Sequence, residues 1–165
     1  MVYYLIALIA FLVDQGTKYL IAKQLQIGEE IPVIGHFFVI TSYRNQGAAF
    51  SILQGQRWFF IVITIAVVIG IVWYMERVKK NGQKLLPVAL SLILGGAIGN
   101  FLDRSVHAEV VDFLQFTFGS YVFPIFNIAD SCIVVGVALI ILDTLFDSRR
   151  DNNKPSDHVQ GDNHL

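Results

Sequence analysis

Charge is scarce in this chain. Asp, Glu, Lys and Arg account for 15% of its 165 residues and nearly cancel, leaving a net charge of −1. No basic stripe interleaved with aromatics is present, which argues against nucleic acid as a partner. Cysteine is reduced to Cys132, inside an apolar run, so no internal disulfide can form. His36, His107, His158 and His164 lack metal-ligand spacing and have no second cysteine to join them, so neither a metal nor another cofactor is expected. Apolar residues fill the chain instead, at 55% with a mean hydropathy of +0.59, well beyond an ordinary soluble domain. Such a composition belongs in a bilayer.

Membrane helices are predicted at residues 2–22, 58–75, 85–102 and 124–145. The second and third are charge-free or nearly so and about 27 Å long at ~1.5 Å per residue, close to the thickness of the hydrocarbon layer. The first carries Asp14, Gln15 and Lys18 toward one end and lacks the basic start and small-residue cleavage pattern of a secretory leader, so it reads as a retained span. Pro124 suits the first turn of the fourth helix, where its missing N–H costs nothing. That start places Asp130 about 9 Å along the helix. Arg77, Lys79, Lys80 and Lys84 lie between helices two and three, and Arg149, Arg150 and Lys154 lie in or near a polar tail, 148–165, expected to be disordered. By the positive-inside rule both termini are then cytoplasmic. Residues 1–147 thus read as one α-helical membrane domain of four spans, with a small extracytoplasmic β-sheet and an aromatic outer loop.

In that orientation Asp14, Asn45, Asn100, Asp103, Arg104, Asp112, Asn127 and Asp130 converge on the outer interface. A charge within the hydrocarbon costs about 2.5–3.5 kcal/mol, so such a gathering points to function more than any one member does. Asn100 and Arg104, four apart, share a helix face, as do Asn127 and Asp130, three apart. Lys18, one turn after Asp14, is read as an interface anchor. Asp143 and Asp147 are read as solvated residues at the far end of the fourth helix, outside the site.

The outer segments have their own patterns. Residues 27–56 alternate Phe37, Val39, Thr41 and Tyr43 against Phe38, Ile40, Ser42 and Arg44, the period of a strand, which suggests a small sheet on the membrane. Gly47, Ala48 and Ala49 follow, either as a plain turn or as a place where a substrate backbone comes close. Gly95 and Gly99 form a small-xxx-small pattern for close helix contact. Residues 105–123 carry Phe113, Phe116, Phe118, Tyr121 and Phe123, an interfacial flap or a set of belt anchors.

Asp112 and Asp130 flank that aromatic segment. Were they within a few ångströms of each other, both could not ionise; one would keep a proton while the other acted as general base toward water. This is the chemistry of peptide hydrolysis by an aspartic pair. Arg104 and Asn100 would hold substrate carbonyls or backbone, and Asn127 would orient Asp130. The alternative from another class is a small four-helix transporter using Asp130 and Arg104 as an ion or proton relay, which a charge-free second helix and apolar cytoplasmic halves do not favour. A structural assembly protein is a third reading.

The motifs DQGTKYL at Asp14, RNQGAAF around Asn45, GGAIGNFLDR through Asn100 and Arg104, EVVDF at Asp112 and FNIADS from Asn127 through Asp130 closely resemble those of bacterial lipoprotein signal peptidase, or signal peptidase II. The resemblance covers nearly the whole chain except the polar tail. It implies an aspartic endopeptidase of the cytoplasmic membrane, acting from the extracytoplasmic side on prolipoproteins that already carry diacylglycerol and cutting just before the lipidated cysteine. Asp112 and Asp130 would be the catalytic pair, and Asp14, Asn45, Asn100, Arg104 and Asn127 the residues lining the site. Membrane lipid and globomycin-type inhibitors are the other partners it implies.

Overall fold

A computed structural model describes residues 1–47, 53–79 and 84–152; Ala48, Ala49, Lys80 and the tail beyond residue 152 lie outside the described residues. The elements are α1 (Val2–Gln24), β1 (Glu30–Ile34), β2 (Phe38–Asn45), α2 (Arg57–Val78), α3 (Leu85–His107), β3 (Val110–Phe118), β4 (Tyr121–Val122) and α4 (Ile128–Asn152). Among the described residues, four helices are long and apolar enough to cross a membrane.

Small residues let α3 lie at the centre. A Cβ at Gly95 would sit 2.5 Å from the Ala7 carbonyl oxygen of α1, and one at Gly96 would overlap the Ala129 carbonyl oxygen of α4. On α1 the buried positions are Ala7, Ala10, Asp14 and Lys18, a single stripe at helical spacing. One end of that stripe is therefore apolar and the other is polar. The apolar end joins Met75, Val78, Leu86, Leu90 and Leu94 in the packed core. The polar end meets the last turns of α3. The start of α2 is tied to the same region by the Arg57 guanidinium, which donates to the Ser105 carbonyl.

The sheet is antiparallel in the order β1-β2-β3-β4. Its second half comes from the aromatic segment expected as an outer loop. Phe38 stacks on Phe116 at 4.7 Å, Phe116 on Phe126 at 5.9 Å, and Phe37 meets Phe116 and Phe118 edge-on at 5.5 Å. Such pairs are worth about 0.5–1.5 kcal/mol each beyond the area they bury, which favours a paired strand over a loose flap. A bulge between Ile40 and Tyr43 breaks the expected alternation of β2. Thr41 and Ser42 are both buried in succession, and Tyr43 turns outward opposite Asp112.

The fourth helix begins at Ile128 rather than at residue 124. Residues 123–126 are extended because they hydrogen-bond to β3: Phe123 N–H donates to Phe116 O at 2.8 Å and Phe126 N–H to Leu114 O at 3.1 Å. Pro124 therefore lies in a strand-like run outside the helix. At its other end α4 continues to Asn152, past the expected boundary, because a helix need not stop where the apolar run does.

Candidate active site

Asn127 caps α4. Its Oδ1 accepts from the Asp130 N–H at 3.0 Å, and its own N–H donates to Asp130 Oδ2 at 3.2 Å, a reciprocal capping box. Asp130 consequently sits in the first turn, at the mouth of the helix rather than about 9 Å along it. With Oδ1 committed to the cap, the Asn127 amide has Nδ2 left, and this donates to Asp112 Oδ1 at 2.6 Å. One fully buried residue thus holds both carboxylates, that of Asp112 through its side chain and that of Asp130 through its backbone N–H.

Asp112 projects from β3 with 2% of its surface exposed. Asn45, diagonally across on β2, donates Nδ2 to Asp112 Oδ2 at 2.8 Å, while its Oδ1 accepts the Gly47 N–H at 2.9 Å and so fixes the amide's direction. Burial, followed by the negative charge of Asp130, pushes the Asp112 carboxyl up to about 7; the Asn45 and Asn127 donors and the Lys18 charge oppose that rise.

From α3, Asn100 donates Nδ2 to Asp130 Oδ1 at 2.8 Å. Arg104, one turn later, donates to the Gly47 carbonyl at 2.9 Å and lies 4.8 Å over the Phe60 ring of α2, which fixes its long side chain. These groups border a cavity of about 570 Å³ in which Asn45, Asn100, Arg104, Asp112 and Asp130 face apolar walls of Phe123, Ile125, Phe126, Ile133, Val134 and Val135. A polar bond can be held there at the edge of an apolar volume.

Asp14 and Asn127 do not line this cavity; both are fully buried behind it. The Asp14 carboxylate accepts the Ala129 N–H at 2.8 Å, satisfying a free donor in the first turn of α4, and pairs with Lys18 at 2.8 Å. Gln15 adds donors to Asp14, the Gly99 carbonyl and Asp103 at 3.1, 3.3 and 3.2 Å.

Lys18 departs from its expected role as an interface anchor. It is 3% exposed, because its stripe on α1 faces α3 and leaves no path to the surface. Its Nζ lies 2.8 Å from oxygens of Asp14, Asp103 and Asn100. The signal available in the sequence was the Asp14/Lys18 pair at i,i+4 on the stripe of Ala7 and Ala10. Asp143 stays in the far half of α4, away from this cluster.

Known proteins bear on this geometry. Residues 6–146 match the family model described as signal peptidase (SPase) II. The lipoprotein signal peptidase of Bacillus subtilis (strain 168) is 56% identical over 148 residues, covering 90% of this chain and 96% of the relative. That of Bacillus pumilus (strain SAFR-032) is 56% identical over 152 residues, covering 91% and 96%. A solved bacterial membrane enzyme superposes with a TM-score of 0.83 at 45% identity, covering 94% of this chain and 93% of its own. Bacterial relatives and four candidate spans together indicate a protein of the bacterial inner membrane. With a family model spanning most of its length and relatives this similar, the chain belongs to the signal peptidase II family.

Proposed function

We propose that this protein is an aspartic endopeptidase that removes signal peptides from diacylglyceryl-modified prolipoproteins, cutting before the lipidated cysteine. The observation that carries the reading is Asn127, which bonds Asp112 with its side chain and Asp130 with its backbone beside an apolar-walled cavity. Asp112, whose carboxyl keeps its proton up to about pH 7, polarises the scissile carbonyl. Asp130 takes a proton from the attacking water. Collapse of the tetrahedral intermediate delivers a proton to the leaving amine and frees the two products.

The lipid on the substrate suits this location. Acyl chains held in the bilayer contribute about 0.8 kcal/mol per buried CH₂, which keeps the cysteine at the interface, level with the mouth of α4. Arg77 and Lys79 at the opposite end of the bundle support cytoplasmic termini and an outward-facing site. Globomycin-type inhibitors would fill the same cavity. The comparisons give no support to a transporter.

The test is cleavage of a lipidated prolipoprotein by purified protein. Asp112→Asn and Asp130→Asn should each lower turnover by at least about 1,000-fold with the fold retained, and unlipidated substrate should not be cut. Full turnover in either variant would remove the dyad.

A further inference from the structure

Lys18 is a buried cation that the hydrolytic scheme does not use. Its Nζ donates a hydrogen bond to Asn100 Oδ1 at 2.8 Å and forms ion pairs with Asp14 Oδ2 and Asp103 Oδ2, each also at 2.8 Å. Asn100 stands between Lys18 and the dyad. An ammonium only donates and a carboxylate only accepts, so the amide can lie between them in one direction alone: oxygen to Lys18, Nδ2 to Asp130 at 2.8 Å. Turned over, it would set NH₂ against NH₃⁺ and C=O against COO⁻. Asn127 reinforces the same direction, donating to Asn100 Oδ1 at 3.3 Å.

Resting on the peptidase reading, we propose that Lys18 is a positioning residue for the dyad, holding the Asn100 amide so that its Nδ2 faces Asp130. The row runs from α1 through α3 to α4: Asp14 and Asp103 fix the ammonium, the ammonium fixes the amide, and the amide fixes the carboxylate. Lys18 touches neither the cavity nor the reacting bond. Its charge also reaches Asp112, where it opposes the rise caused by burial and by Asp130. The charged groups around this row are Asp14, Asp103, Asp112, Asp130 and Arg104, so removing Lys18 leaves Arg104 as the cation facing the carboxylates.

The test is a double-substitution cycle on full-length protein with lipidated prolipoprotein, using Lys18→Met, Asn100→Ala and both together. Expected are a fall in kcat of about tenfold or more for Lys18→Met with KM within about twofold, and a double variant no slower than Asn100→Ala alone. The alkaline limb of the rate profile should move upward in Lys18→Met, because a charge that held the Asp112 proton affinity down has gone. A cation that merely neutralised Asp14 and Asp103 would give multiplicative losses and an unmoved limb, and either result overturns the proposal. Should Lys18→Met fail to fold, Lys18→Met with Asp103→Asn removes one charge of each sign; undiminished kcat in that variant overturns it equally. Wild-type protein inert on a verified substrate would instead count against the peptidase reading itself.

Discussion

Helices α2 and α3 are nearly the same length and both apolar enough to span, yet 61% of the apolar stretch of α3 is buried against 6% of that of α2. Apolarity does not separate them, because lipid is as good a neighbour for Val or Ile as another helix is. Small residues do. Gly95, Gly96 and Gly99 bring α3 against α1 and α4, whereas a Cβ at Gly70 of α2 meets nothing within 4 Å. The helix that packs closely is also the one that carries Asn100, Asp103 and Arg104 into the site. In this protein tight packing and polar chemistry share one helix, and α2 mainly closes the side.

That contrast can be broken by substitution. The largest effect is expected where the polar row meets the helix cap: Asn127→Ala removes the donor to Asp112 and the acceptor for the Asp130 N–H, and should cut turnover by about 100-fold or more, measured on lipidated substrate. Next comes Gly99→Ala, whose Cβ would overlap the Asp14 carboxylate; a loss of about 1–3 kcal/mol of stability, read as a lower Tm, should accompany lost activity. A smaller effect is expected from pH. Wild-type activity should fall as pH rises through about 7, where Asp112 loses its proton, and Asn45→Ala should move that limb upward, since the Asn45 donor favours the ionised form. Least of all is Gly70→Ala on α2, which should leave turnover unchanged and stabilise the helix by up to about 1 kcal/mol. A Gly70→Ala defect as deep as that of Gly99→Ala would abolish the distinction between the two helices.

The spans were legible because a run of apolar residues long enough to cross hydrocarbon has few other uses. The convergence of Asn45, Asn100, Arg104, Asp112 and Asp130 on one cavity was legible too, since helix spacing and the order of the spans put them at one end. Local competition hid the rest. Pro124 is a good first-turn residue, but pairing of Phe123 and Phe126 with β3 claims the backbone first, and Asn127 with Asp130 makes the better start. The bulge at Ile40 to Tyr43 shifts a pattern of period two by one residue, which composition cannot announce. Lys18 was misjudged because a lysine near a helix end usually reaches the surface, and only the partner face on α3 decides that this one does not.

The reciprocal cap between Asn127 and Asp130 has an implication for resistance. Asp130 starts a helix as well as facing the cavity, Asn127 does so while gripping Asp112, and Asn100 links two helices. An inhibitor whose polar contacts are confined to Asp130 and Asn100, the two of these that line the cavity, leaves a bacterium little room to escape, because each substitution that weakens binding also opens a bond the fold uses. Val134 and Val135 lie on the apolar wall of the cavity, and a compound that leans on them would select for changes in their size.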